Sequence, residues 1–227
     1  MGSAHEHTGH TGHTQHHDHA GHAGSGHFDD RAATWDDDPD KVRQSGEVAR
    51  GIAAAIPLAP RSRVLEYGAG TGLVTTALLD DLVAPTLTLA DNSSGMRQVL
   101  ADKVEAEILP SPTRVWDLDL ETHPVPTDRF DLIISSMVMH HVKDLETVLA
   151  AFAQLLDTGG HLAIADLDSE DGGFHQHDFD GHHGFDRASL AASLEQSGFT
   201  DVTVTDCSTI MREDVPYTVF LATARKA

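Results

Sequence analysis

The residues best placed to do chemistry begin at Val64, where the chain reads Val-Leu-Glu-Tyr-Gly-Ala-Gly-Thr-Gly through Gly72. An apolar run enters a glycine-rich turn, and a helical pattern starts directly behind it. Glycines there permit a tight turn and let a ligand approach main-chain N–H groups at a helix N-terminus. Several nucleotide-binding folds share that logic. Dinucleotide-binding loops place glycines as G-x-G-x-x-G, whereas here the third glycine comes one position early and Leu73 stands where that pattern wants it. The spacing therefore speaks against a nicotinamide-dependent oxidoreductase. Asp91 closes a second apolar run 23 residues beyond Gly68. One carboxylate at such a strand end can accept hydrogen bonds from both hydroxyls of a ribose.

A second group of residues suits proton transfer. His140, His141 and Asp166 follow the fourth and fifth apolar runs, where open α/β sheets bind their ligands. For the two histidines, helix capping or loop packing competes with that role. Further on, residues 175–186 hold four histidines and three aspartates. His175, His177, His182 and His183 fit three descriptions: a solvated loop turned by its Gly and Asp residues, the wall of a polar acceptor pocket, or a metal site. No metal ligand is assigned within the folded chain at this stage.

Taken in order, these motifs resemble those of class I S-adenosylmethionine-dependent methyltransferases, in the branch that acts on small molecules. Glu66–Gly72 is similar to the family's acidic residue followed by G-x-G-x-G. Leu87–Asp91 with Asn92, Ser93 and Met96 is similar to its second motif, and Trp116-Asp117-Leu118 to its third. Phe130-Asp131-Leu132-Ile133-Ile134-Ser135 running into Met139-His140-His141-Val142 is similar to its fourth. The four motifs cover about residues 60–165. The resemblance implies S-adenosylmethionine as cofactor, held by Glu66, Gly68, Ala69, Gly70, Asp91, Asn92, Met96, Asp117, Leu118 and Ser135. In the family the acidic residue lies beneath the glycine loop, and the methionine packs on adenine. Trp35 and Asp36, with Phe28 and Arg31, resemble a lead-in that folds over the cofactor as a lid; for Trp35, anchoring the first helix is the competing role. Trp35 and the histidines of residues 175–183 are then the expected substrate contacts. Asp131, just inside its strand, is expected to be structural.

The elements that must position these residues alternate. Helices are expected over 39–56, 73–82, 94–103, 144–156 and 186–197. Strands are expected over 64–67, 86–90, 114–116, 130–135, 161–165, 202–207 and 217–224. Strand–helix alternation predicts a doubly wound, Rossmann-like α/β fold: a seven-stranded sheet, mostly parallel, with one antiparallel edge strand, the last two strands pairing as a hairpin. Residues 28–227 form this domain, with lid helices at its start. Residues 1–27 hold nine of the 17 histidines and almost nothing apolar. They are expected to be a disordered tail with adventitious affinity for divalent metals.

Composition narrows the partners. The net charge of −21 opposes binding to nucleic acid or anionic membranes. No apolar run approaches the roughly 20 residues that span a bilayer, and one cysteine, Cys207, excludes an internal disulfide. A small-molecule substrate and a cytoplasmic location are the expectations. No feature fixes an oligomeric state. A metal-handling protein on the same scaffold is the alternative, motivated by the histidine content of the tail and of residues 175–183.

Overall fold

A computed structural model describes residues 28–175 and 179–227. His177 and the tail therefore lie outside the described residues. Seven strands form one sheet: β1 (Arg63–Tyr67), β2 (Thr86–Ala90), β3 (Arg114–Trp116), β4 (Phe130–Ser136), β5 (Leu156–Leu167), β6 (Phe199–Arg212) and β7 (Val215–Lys226). Their order is β3-β2-β1-β4-β5-β7-β6. Pairing is parallel from β3 through β5. The antiparallel strand is β7, which runs between β5 and the edge strand β6. This is the doubly wound α/β fold.

Among the described residues, five α-helices flank the sheet: α1 (Pro39–Ala55), α2 (Leu73–Leu78), α3 (Ser94–Glu105), α4 (Leu145–Leu155) and α5 (Arg187–Gln196). Four begin at a side chain that accepts a main-chain N–H of the first turn: Asp38, Ser93, Asp144 and Asp186. Each such cap satisfies a donor that the helix leaves unpaired, worth about 1 kcal/mol. Alternation along the strands sorts the core onto two faces. Val64, Ile134, Ala163 and Leu221 pack with α1 and α2 through Val48, Ile52, Val74 and Leu78. Their neighbours Leu65, Ile133, Ile164 and Phe220 pack with α4 and α5 through Val148, Phe152, Leu190 and Leu194. None of the helices is long and apolar enough to cross a membrane among the described residues.

The hairpin is longer than the 202–207 and 217–224 pairing expected. It turns on Glu213 and Asp214, both at positive φ (49° and 65°). Two-residue turns of this kind usually announce themselves by Asn-Gly or Asp-Gly, and neither is present. Strand β5 also starts earlier, directly at the end of α4, with Gly159 at φ 83° absorbing the bend. Asp131 is structural, as expected: its carboxylate takes the Arg63 main-chain N–H at 2.8 Å and the Arg63 guanidinium at 2.6 and 2.9 Å. That clamps β4 to β1 at the edge away from the loops carrying chemistry.

Phe152 is fully buried and packs edge-on against Tyr67 at 5.3 Å. Phe152→Ala is expected to cost about 3–5 kcal/mol of unfolding free energy in denaturant titration. A loss below about 1 kcal/mol would show that this face is not the main core.

Candidate active site

The turns after β1 through β5 all open at one edge of the sheet, and the strand order reverses between β1 and β4. Gly68 and Gly70 have φ of 68° and 55°, in the left-handed region that favours glycine. A Cβ on Gly68 would lie 2.3 Å from Val138 Cγ2, so glycine lets the turns after β1 and β4 close on each other. A Cβ on Gly70 would meet nothing within 4 Å. The loop is thus packed at its base and open above Gly70, as a loop approached by a ligand must be.

Asp91 follows β2 and is nearly buried. Its two oxygens accept the Gly70 N–H and the Ser93 N–H, each at 2.8 Å. Burial raises its pKa, against the lowering effect of these bonds. Beyond it, Met96 is buried in the first turn of α3, and Asn92 is exposed. Arg97 donates to the Asp91 carbonyl at 2.9 Å and pairs with Asp117 at 3.1 Å, joining the turns after β2 and β3. Leu118 is buried beside Asp117. Ser135, at the end of β4, is buried, and its Oγ has no hydrogen-bond partner among the described residues.

Glu66 lies beneath the glycine loop, as the resemblance implied, and presents nothing to the cleft. It is 2 % exposed and accepts both the main-chain N–H and the hydroxyl of Thr75, tying β1 to the first turn of α2. Burial, with Asp91 nearby, pushes its pKa up from 4.5 to about 7.

The lead-in, a 3-10 helix over Ala32–Asp37 and the residues before it, straps the mouth of the cleft. Asp29 accepts Ser93 Oγ at 2.6 Å and the Gly95 N–H at 2.8 Å, at the N-terminus of α3. Asp36 accepts Thr71 Oγ1 at 2.5 Å and pairs with Lys103 at 2.6 Å, above the glycine loop. Phe28 sets its ring edge-on to Trp35 at 5.9 Å and to His141 at 5.6 Å. Trp35, half-buried, also lies under the cations of Lys41 and Arg31. Asp29, Arg97 and Lys103 were not singled out by the sequence, because isolated charges on helical turns have no distinguishing spacing.

His140 and His141 form a 3-10 turn after β4. They do not cap the following helix, since Asp144 does. His140 is 2 % exposed and Asp166 is 0 % exposed. The His140 Nδ1 lies 2.7 Å from Asp166 Oδ1, and Asp166 also accepts the main-chain N–H of His140 and of Leu167. A carboxylate so placed fixes the proton on Nδ1 and leaves Nε2 with its lone pair. His175 packs on both histidines, with ring centroids 5.4 Å from His140 and 5.7 Å from His141. His182 donates its main-chain N–H to the His140 carbonyl at 2.7 Å. His183 faces away, half-exposed, with its Nδ1 3.2 Å from Glu170. The structure thus joins His140, His141, Asp166, His175 and His182 at one end of the cleft and excludes His183.

This fold is shared with proteins already known. Residues 41–204 match a methyltransferase-domain family. The chain is 31 % identical over 174 residues to an uncharacterised methyltransferase of Bacillus subtilis, YrrT, covering 74 % of this chain and 78 % of that protein. It is 39 % identical over 130 residues to the biotin biosynthesis bifunctional protein BioCD of Bordetella avium, covering 56 % of this chain but only 26 % of that longer protein. Among solved structures, the Haemonchus contortus phosphoethanolamine N-methyltransferase 2 in complex with S-adenosyl-L-methionine superposes with a TM-score of 0.61. It shows 14 % identity, with 75 % of this chain and 50 % of that one covered, a likeness of fold. The chain belongs to the class I S-adenosylmethionine-dependent methyltransferase family.

Glu66 gives a test of the loop's packing. The folded chain keeps its proton between about pH 4.5 and 7, where the unfolded chain releases it. Stability is therefore lost as pH rises through that window. Relative to Glu66→Gln, the wild type is expected to lose up to about 3 kcal/mol on going from roughly pH 4 to pH 8. Parallel stability curves for the two proteins would contradict the buried, protonated carboxyl.

Proposed function

We propose that this chain transfers a methyl group from S-adenosylmethionine to a small-molecule acceptor, at the carboxyl edge of its sheet. The observation that carries this reading is the Asp91 carboxylate held at the end of β2, beside a Gly70 whose outer face is open. The residues fit the donor's parts. Asp91 suits the ribose hydroxyls, the open glycine face suits the amino-acid portion, and Met96, Asp117 and Leu118 frame the adenine end. Ser135 Oγ is a buried hydroxyl whose bonding capacity the protein leaves unused.

The donor, when bound, supplies an already activated methyl group on sulfonium. What remains for the protein is to align the acceptor, exclude water and, where the acceptor must lose a proton, receive it. Asp29 and Asp36 pin the strap across the cleft, and this closure keeps water from the reacting centre. Nε2 of His140 is the proton-accepting atom, with Asp166 holding the ring and its tautomer. His141, His175 and Phe179 wall the acceptor end. Trp35 braces the strap through Phe28 and the Lys41 ammonium. Residues 28–227 make up this unit, and the charge of −21 favours a small acceptor over nucleic acid.

Calorimetric titration with S-adenosylhomocysteine tests this. Binding in the micromolar range is expected, weakened about 10–100-fold by Asp91→Ala through loss of charged hydrogen bonds. Equal affinity in both proteins, or no binding by the wild type, would reject the assignment.

A further inference from the structure

We propose that His140, His141 and His175 form a binding site for one divalent transition-metal ion of the zinc type. From sequence, a metal site is one of three readings of the histidines of residues 175–183 and no ligand is assigned; the three residues come from two loops 34 positions apart. In the structure one ring nitrogen from each lies within 4.8 Å of the others. Three imidazoles around zinc at 2.0–2.1 Å stand about 3.3 Å apart. Small ring rotations therefore convert the observed cluster into a three-coordinate face. The rings of His140 and His141 lie 4.1 Å apart, tilted by 40°, and would open to about 5 Å as both turn a nitrogen onto one ion.

The surroundings are those of a metal site. Asp166 sits behind His140 on Nδ1 at 2.7 Å, which leaves Nε2 as the ligating atom. A carboxylate behind a ligating imidazole fixes its tautomer and raises its basicity. Phe179 stacks on His175 at 3.7 Å, almost parallel at 8°, and lies 5.2 Å from His141. Phe174 closes the other side, 6.3 Å from His140. An apolar shell of this kind limits water access and strengthens the electrostatics within it.

The second loop is braced within itself before His175 and held to the first loop after it. The Phe174 N–H is accepted by Glu170 at 3.0 Å. A Cβ on Gly181 would lie 2.2 Å from the His140 carbonyl oxygen, so only glycine allows the chain to pass there. His182 then donates its N–H to that same oxygen. Imidazole ligands suit zinc, nickel, copper and cobalt over calcium and magnesium, which take oxygen.

An ion held by three imidazoles keeps a coordination position for an oxygen or nitrogen of the acceptor. It takes the His140 lone pair that would otherwise receive a proton. In the metal-loaded protein the ion would orient the acceptor, and its charge would favour an acceptor that enters already deprotonated. Binding of the ion stands on the histidine geometry; its part in catalysis rests on the methyl-transfer reading above.

The experiment uses the full-length chain with the nine histidines of residues 1–27 changed to asparagine, so that tail chelation is removed. After loading with zinc and gel filtration, one equivalent is expected to remain. X-ray absorption is expected to count three imidazole nitrogens at about 2.0 Å. His175→Ala is expected to weaken zinc binding at least tenfold, and Asp166→Asn about tenfold through loss of the supporting carboxylate. No retained zinc, fewer than three imidazoles, or unchanged affinity in His175→Ala would overturn the site. Titration of the same tail-substituted protein with S-adenosylhomocysteine separates the two readings. Cofactor binding without zinc overturns the metal site and leaves the methyltransferase assignment standing.

Discussion

The carboxylate of Asp91 ties the Gly70 N–H on one side to the Ser93 N–H on the other, and the geometry of the cleft follows from that bridge. It sets the glycine loop against the start of α3 and holds a buried carboxylate at the end of β2. The bridge depends on two accommodations. Gly68 lets Val138 approach the loop's base, and Glu66 anchors the loop from below through Thr75. Met137, at φ 58°, carries a strained main chain just before Val138 and costs about 1–2 kcal/mol. Its N–H is secured by the Ala165 carbonyl at 2.8 Å, which joins the turn after β4 to β5 and so to Asp166.

Charge organises the strap. In a chain of net charge −21 most acids are solvated, yet Asp29 and Asp36 are placed on specific donors. Asp29 sits at the positive end of α3, and its pKa is lowered by the Ser93 hydroxyl and the Gly95 N–H. Asp36 meets Lys103, whose ammonium also donates to the Thr71 carbonyl at 2.7 Å. These contacts reach the glycine loop, α3 and, through Phe28, the histidine turn. The two ends of the cleft are therefore linked through residues 28–37.

How much was legible follows from the range of each signal. Apolar periodicity and caps are local, so the strands around Leu65 and Ile133 and the helices capped at Ser93, Asp144 and Asp186 could be read directly. The glycine loop and Asp91 were legible because a backbone turn and a strand-end carboxylate leave residue-type marks at fixed spacing. The hairpin turn at Glu213 and Asp214 was not, since neither residue advertises positive φ. The pairing of His140 with Asp166 needs the register of β4 on β5, and the approach of His175 needs Gly181; neither is written in spacing. The histidines of residues 175–183 looked alike in sequence, and only packing separated His175 and His182 from His183.

The central claim is that the turns after β1, β2 and β3, covered by the strap, form one ligand-binding unit. Hydrogen–deuterium exchange with and without saturating S-adenosylhomocysteine tests it most directly. The account predicts slowed exchange in residues 28–37, 68–72, 91–97 and 117–118 together, with β6 and β7 unchanged. Unaltered exchange in those segments under saturating ligand, or protection confined to the β6–β7 hairpin, would contradict it.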